Sequence, residues 1–474
     1  LHARGRLVSG ELDPRGTQRE WCESEVLRRI KRETLARLRE EVSPVPRDTF
    51  TRFLIDWHGV ESGRHGESRL DEVIDRLEGL PLSFAELERS ILPARLSDYD
   101  PRWLDERAAL GQLVWVGRRA IGERDGRVAL YRRERAPLLL EAPPDPEDLA
   151  PLERRILEQL SSHGASFHPE IVARLEPEDG SGCLAAIWNL VWRGLVTNDG
   201  VAPLRALGRR PALRRSRRRR VSPASSTTPS AAAGRWSLVS SLLARPSAPT
   251  ERLHARTRLY LERHGVLTRE AMALETEPGG FGAIHPILRE MEERGRVRRG
   301  HFVVGLAGMQ IAAAGVVDRL REARSLPVAP RAVLLAATDP AQPHGIWLEW
   351  PAGRGGGPRP HRAVGAAVVL VDGRPMLHLD RGGRRVTTFL REPQGEGADD
   401  SGREEVSLAA AIHCLASGLE RLGRRRLCVE EIDGERARLS PLADLFTSAG
   451  FRAGYRGLEL ERSAPDSGAE GMRG

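Results

Sequence analysis

A chain of 474 residues is too long for a single hydrophobic core, so three or four domains are expected. With 40% hydrophobic and 30% charged residues it reads as soluble and globular, and no run reaches the roughly 18 apolar residues of a membrane span. The net charge of +8 is local: residues 208–220 (GRRPALRRSRRRR) hold eight arginines and no acid, which leaves the rest near neutral.

Several chemistries are absent. Lys31 is the one lysine, and it lies in LRRIKRET without a neighbouring glycine, so no phosphate loop of the Walker A type is written here. The sequence has no GxSxG, HExxH or GxGxxG pattern. Cys22, Cys183, Cys414 and Cys428 lack CxxC spacing, which excludes a zinc ribbon or a disulfide framework. No signal-peptide core precedes the first domain, so a cytoplasmic protein with no membrane contact is expected. The chain starts at Leu1 without methionine and reads as a fragment.

In chain order, residues 1–19 lead into a first module over 20–140. A helix over 23–41 is predicted to open it, burying Leu27, Ile30, Thr34 and Leu38 and presenting Arg28, Arg32 and Arg39 as a basic row. Three later segments share one ending, in which a helix is stopped by Gly111, Gly194 or Gly295 and runs into a strand and a second strand. Helix, glycine stop and hairpin are the layout of a winged helix. Three such modules are expected, over 20–140, 148–207 and 235–310, with an Arg-rich disordered linker at 208–234. The third helix of the second module, from 182 to 193, is almost wholly apolar and lacks the donors and acceptors that base reading requires. The third module's wing carries Arg296, Arg298 and Arg299, the best electrostatic candidates for phosphate contact in a folded module. From 328 to 462 short β-rich runs with an Asp372-Gly373 turn, then a helix, a strand and a final helix, predict a β-barrel-like unit. A disordered tail is expected at 463–474. The fold class is therefore α+β, with tandem winged-helix modules followed by a β-barrel-like α+β domain.

Long strings in this chain resemble a known family. EWCESEVLRRIKRETLARLREEVSPV (20–45), RFLIDWHGV (52–60), ILPARLSDYDPRWLD (91–105), WNLVWRGLVTNDGVAPLRAL (188–207), PGGFGAIHPILREMEERGRVRRGHFVVGL (278–306) and LLAATDPAQPHG (334–345) are similar to the C-terminal half of Lhr-type, or large helicase-related, helicases of superfamily 2. The resemblance implies tandem winged helices and a β-barrel, in an arrangement similar to AlkZ-type DNA glycosylases. Residues 1–19 would end the helicase's own winged helix. The two RecA-like motor domains that bind ATP and Mg2+ would precede this region, so this chain alone holds no cofactor and has no ATPase. The implied partners are single-stranded DNA, DNA or RNA:DNA duplexes and that N-terminal motor, and the implied role is guiding the strand during unwinding, in DNA repair.

The resemblance also implies that Trp57 meets the tracking strand. An exposed aromatic face stacks on unpaired bases irrespective of sequence, at about 1–3 kcal/mol per base. From residue type alone a core tryptophan is the commoner outcome. Thr197, Asn198 and Asp199 suit a turn before Gly200 and need no further role. Two alternatives stand beside the helicase reading. One is an AlkZ-like DNA glycosylase, although Gln18, Gln112, Gln159, Gln310, Gln342 and Gln394 form no Gln-x-Gln pair. The other is a non-catalytic winged-helix DNA-binding protein.

Overall fold

A computed structural model describes residues 7–10, 20–30, 43–63, 65–143, 148–208, 230–243, 247–326, 329–389 and 400–461. Strands β1 (Leu7–Gly10) and β2 (Glu20–Glu23) pair antiparallel. Residues 24–30 are helical, but Trp21, Val26 and Ile30 are exposed, Ile30 by 49%. Ile30 therefore does not belong to a buried stripe of the first module, and the rest of the expected helix lies outside the described residues. The helix that opens the module is instead α2 (Leu70–Leu77), after α1 (Arg47–Trp57). Leu70, Val73, Ile74 and Leu77 fall at i, i+3, i+4 and i+7 and are all buried.

Strand β3 (Leu82–Ser83), a short helical stretch through Ile91 and helix α3 (Arg102–Ala109) follow α2. Strands β4 (Leu113–Ala120) and β5 (Gly126–Arg132) complete a winged helix with sheet order β3-β5-β4. Gly111 takes φ +67, the left-handed stop the sequence called for.

The second module runs α4 (Pro151–His163), β6 (Ser166–Phe167), α5 (His168–Ala173), α6 (Cys183–Trp192) and β7 (Val196–Asn198). Its sheet is closed by β8 (Arg235–Leu238), which pairs with both β6 and β7. The module thus extends past 207. The arginine-rich segment is an insertion inside its wing rather than a linker between modules, and residues 209–229 of that segment lie outside the described residues. Trp236, at the centre of β8, is fully buried and closes the core, which explains why β7 needs so distant a partner. The first and second modules share one hydrophobic core.

In the third module α7 (Pro249–His264), β9 (Val266–Leu267), α8 (Gly280–Glu293), β10 (Val297–Gly300) and β11 (Gln310–Ala313) form the winged helix, followed by α9 (Val316–Glu322). The Thr268 hydroxyl accepts the Ala271 amide at 3.2 Å, as a capping residue does. Strand β10 runs through Gly300 before the chain reverses into β11. Helix α1 completes this core: Phe50, Phe53 and Leu54 pack with Tyr260, Leu267, Ile284 and Val297.

The C-terminal domain carries a six-stranded sheet in the order β12-β13-β14-β15-β17-β18, where β12 is Ala332–Ala336, β13 Ala367–Val371, β14 Arg374–Leu379, β15 Arg385–Thr388, β17 Glu431–Ile432 and β18 Glu435–Arg436. Only β15–β17 is parallel. A separate sheet pairs β16 (Arg426–Val429) with β20 (Leu458–Glu461) and β19 (Arg452–Ala453). Residues 427–432 are thus split between two sheets, and 346–350 forms no strand beyond an isolated bridge at Leu348. Among the described residues β12 and β18 are not joined, so the barrel-like closure is not found and the sheet is open. Asp372 (φ +51) and Gly373 (φ +83) make the hairpin turn the sequence indicated. Along β12 and β13, Leu334, Val369 and Val371 pack on helix α10 (Asp400–Ser417), whereas Val333, Leu335, Val368 and Leu370 face Ile55, Val60 and Ala94. Both faces of that part of the sheet are buried, and the second face docks the domain on α1 and the first module.

Candidate functional site

Trp57 ends α1 where three modules meet, and it is half-buried. Its indole Nε1 donates to the Glu262 carbonyl at 2.8 Å, and Phe53 stacks on it with ring centroids 5.4 Å apart. The guanidinium carbons of Arg76 and Arg319 stand 4.6 and 5.3 Å from the ring centroid. The expected open stacking face is therefore not present: protein cations and Phe53 already cover the ring. Trp57 instead walls a cleft of about 480 Å³ between α1, α9 and the Asp372-Gly373 turn.

Within the cleft most charges are spoken for. Arg52 donates to the carbonyls of Ala323 (3.0 Å) and Asp372 (2.7 Å) and to the Thr49 hydroxyl (2.9 Å). Burial lowers its pKa against the pull of Asp48, Asp372 and Asp56. Arg331 pairs with Asp56 at 2.6 Å. Arg319 has no carboxylate partner among the described residues, so Trp57 holds the cleft's uncommitted cation.

Arg296, Arg298 and Arg299 are all exposed on the third wing, but they are not equivalent. Arg299 pairs with Glu292 at 3.2 Å, whereas Arg296 and Arg298 have no acidic partner among the described residues. The adjoining helix α8 neutralises itself through Arg289–Glu293 (3.3 Å) and Arg294–Glu290 (2.7 Å). Arg28 is exposed and 3.5 Å from Glu25. Arg32 lies outside the described residues.

In the second module the third helix, α6, is a packing element. A Cβ on Gly117 would overlap the Val191 carbonyl, and one on Gly126 would overlap Trp192, so the helix lies hard against β4 and β5 of the first module. Trp188 and Trp192 stack at 5.3 Å, and Trp188 meets Trp236 edge-on at 5.5 Å. Asn198 and Asp199 serve the wing: Asn198 Nδ2 donates to the Ala233 carbonyl and Asp199 accepts from Arg235.

Sequence reasoning missed the buried polar groups that lock the modules together. Arg95, after the first module's second helix, makes a two-pronged pair with Asp339 of the C-terminal domain at 2.9 and 2.8 Å, both side chains 1% exposed. Arg263 of α7 donates to the Arg76 carbonyl at 2.9 Å and pairs with Glu275, which also meets His264 at 2.6 Å. Burial alone would raise the Glu275 carboxyl, but Arg263 and His264 outweigh it and hold it below its usual range. Burial keeps His264 below the usual imidazole range. A resemblance in LLAATDPAQPHG was the available signal for Asp339, and nothing in the sequence named Arg95 as its partner.

Gln310 and Gln342 are committed to structure. Gln310 accepts the Phe302 and Val303 amides at 2.7 and 2.9 Å, and Gln342 donates to the Ala337 and His344 carbonyls. Among the described residues no group of three His, Cys, Asp or Glu could hold a metal, and no helix is long and apolar enough to cross a membrane.

A chain whose modules each present three helices and a small antiparallel wing sheet is a tandem winged-helix protein. Two families described as "Large helicase-related protein, winged-helix domain" match residues 45–133 and 246–331. The chain is 37% identical over 475 residues to "Lhr helicase/ probable uracil glycosylase" of Mycolicibacterium smegmatis, covering 96% of this chain and 31% of that one. It is 34% identical over 477 residues to "Lhr helicase/uracil glycosylase" of Escherichia coli, covering 93% and 30%. The chain thus carries two winged-helix domains of the large helicase-related type, and it spans under a third of the length of these relatives. The solved "Streptomyces sahachiroi DNA glycosylase AlkZ" aligns with a TM-score of 0.44 at 14% identity, over 82% of this chain and 100% of that one. At that distance the likeness bears on neither fold nor activity.

Proposed function

We propose that this chain is the C-terminal, strand-holding region of an Lhr-type ATP-dependent helicase, acting on single-stranded DNA and on DNA or RNA:DNA duplexes during translocation and repair. The observation that carries this reading is the similarity over 96% of the chain to a protein named as an Lhr helicase. ATP and Mg2+ would be bound by RecA-like motor domains of the parent, because no residue here can form a phosphate loop. The contribution of this region would be electrostatic and sequence-independent: Arg296 and Arg298 on the third wing, Arg319 beside Trp57, and the arginines inserted in the second wing. The packed α6 supports that view, since it cannot enter a major groove to read bases. In this reading Trp57 acts by holding Arg319 at the cleft, with a strand passing over the pair.

Fluorescence anisotropy with 3′-tailed, blunt and RNA:DNA substrates tests the proposal. Tighter binding to the tailed substrate is expected, whereas tight sequence-specific duplex binding would make the chain a regulator.

A second reading has a specific motive, namely that both relatives carry uracil glycosylase in their names. Incubation with uracil-containing DNA followed by alkaline cleavage separates it from the first. Abasic product at a uracil would establish glycosylase activity in this chain, and none is expected from strand-holding alone.

A further inference from the structure

The strongest unassigned feature is at the root of the first module's wing. The register of β4 against β5 shifts between Gly117 and Arg119, so that Arg118 is the extra residue of a bulge and Arg119 stands opposite Arg127. Ser83 of β3 flanks Arg127 on its other side. Like charges set directly opposite one another destabilise a sheet unless something offsets them. Among the described residues none of the three arginines has a carboxylate within ion-pair distance; Arg118 lines a pocket with Glu78, Glu141, Glu275 and Glu277, but these acids pair with Arg135, Arg256 and Arg263. Arg118 donates to the Tyr131 hydroxyl at 2.7 Å and Arg127 to the Pro81 carbonyl at 3.3 Å, both uncharged acceptors. The Nε atoms of Arg118 and Arg127 are buried and have no hydrogen-bond partner among the described residues.

The acids nearby are engaged elsewhere. Asp125 accepts from the Ser83 hydroxyl at 2.6 Å and the Ala85 amide at 3.2 Å. Glu86 accepts from the Gly365 amide at 2.7 Å and from the Thr338 hydroxyl. A further cation lies close by: Arg362 donates to the carbonyls of Gln342, Thr338 and Asp339, and its charge is felt together with that of Arg127. Arg119 is exposed, so the group is open to solvent at one side.

We infer that this bulge, with Arg119 as its open edge and Arg118 and Arg127 behind it, binds a phosphodiester group of a nucleic-acid strand. Guanidinium forks match the paired oxygens of a phosphate, and an uncompensated set at a wing is where a backbone passes. The inference rests on the strand-holding reading and places a phosphate contact on the first wing, where the sequence had pointed to the third.

The test compares the intact chain with Arg119→Ala and Arg119→Glu, both at an exposed position, and with Arg127→Lys, which keeps the charge but not the fork. Binding to a 3′-tailed duplex is measured at several salt concentrations, with thermal unfolding to show that each variant is folded. The expected result is weaker binding that is uniform across sequences, a salt slope smaller by about one for Arg119→Ala, and a larger loss for Arg119→Glu. If the parent chain binds and Arg119→Glu binds with the same affinity and slope, the site is wrong while the strand-holding reading stands. If the parent chain binds no nucleic acid, that reading fails, and inorganic pyrophosphate decides the site. A rise in melting temperature that is lost in Arg119→Glu upholds an anion site there, and no rise in the parent chain overturns it.

Discussion

Arg95 and Asp339 show what a single pair does in this molecule. The two side chains are buried, doubly hydrogen-bonded and 244 residues apart. Removing one partner leaves a charge in the interior without its counter-ion, which costs about 3–5 kcal/mol, whereas replacing both by apolar residues is far milder. Urea unfolding should therefore show Arg95→Ala destabilised by about that amount, and Arg95→Met with Asp339→Leu much closer to the parent. Equal losses in both variants would contradict the assignment. Trp57 makes the same point for function. Trp57→Phe keeps a ring against Phe53 and under Arg319, so binding should stay near the parent value; Trp57→Ala should lower both stability and affinity, read by thermal unfolding and anisotropy. The sequence told which residue was unusual, but not that its faces were taken. Arg76 and Arg319 come from separate modules, and no local pattern announces a contact across such separations.

At the scale of elements the sequence was most informative where local physics decides. Gly111, Gly194 and Gly295 all take positive φ directly after helices α3, α6 and α8, because a left-handed residue is the cheapest way to stop a helix and turn into a strand. It was least informative where tertiary pairing decides. Strand β8 is four residues long, 36 residues lie between it and β7 (199–234), and only the tertiary pairing, with Trp236 buried, brings the two into one sheet. That pairing yields a prediction. Replacing residues 209–229 by a short Gly/Ser turn should leave the melting temperature nearly unchanged, since loop length is thermodynamically inexpensive, while flattening the salt dependence of nucleic-acid binding. An unfolded variant, or an unchanged slope, would count against it. The junction of the first and third modules adds a pH effect. Burial raises the Glu78 carboxyl to about 7 from 4.5. Such a group favours the folded state fully at acidic pH, and that advantage is lost as pH rises from about 4.5 through 7. In Glu78→Gln the corresponding fall in melting temperature between pH 5 and 8 should shrink.

Across the whole molecule, the winged helices behave as parts of one body rather than as beads on a linker. The first two share a core, α1 crosses from the first module's flank into the third, and the C-terminal sheet buries a face on both. The family and the α+β character were legible in long strings such as WNLVWRGLVTNDG, whereas the open sheet was not, because strand order depends on pairings that no single segment encodes. If this body holds a nucleic-acid strand by charge and irrespective of sequence, its affinity depends on salt and not on base order. The most direct test is the affinity for several unrelated single-stranded oligonucleotides measured from low to moderate salt. Log K should fall linearly with log salt along one common line for all of them. Affinities that differ strongly between sequences, or that ignore salt, would contradict it.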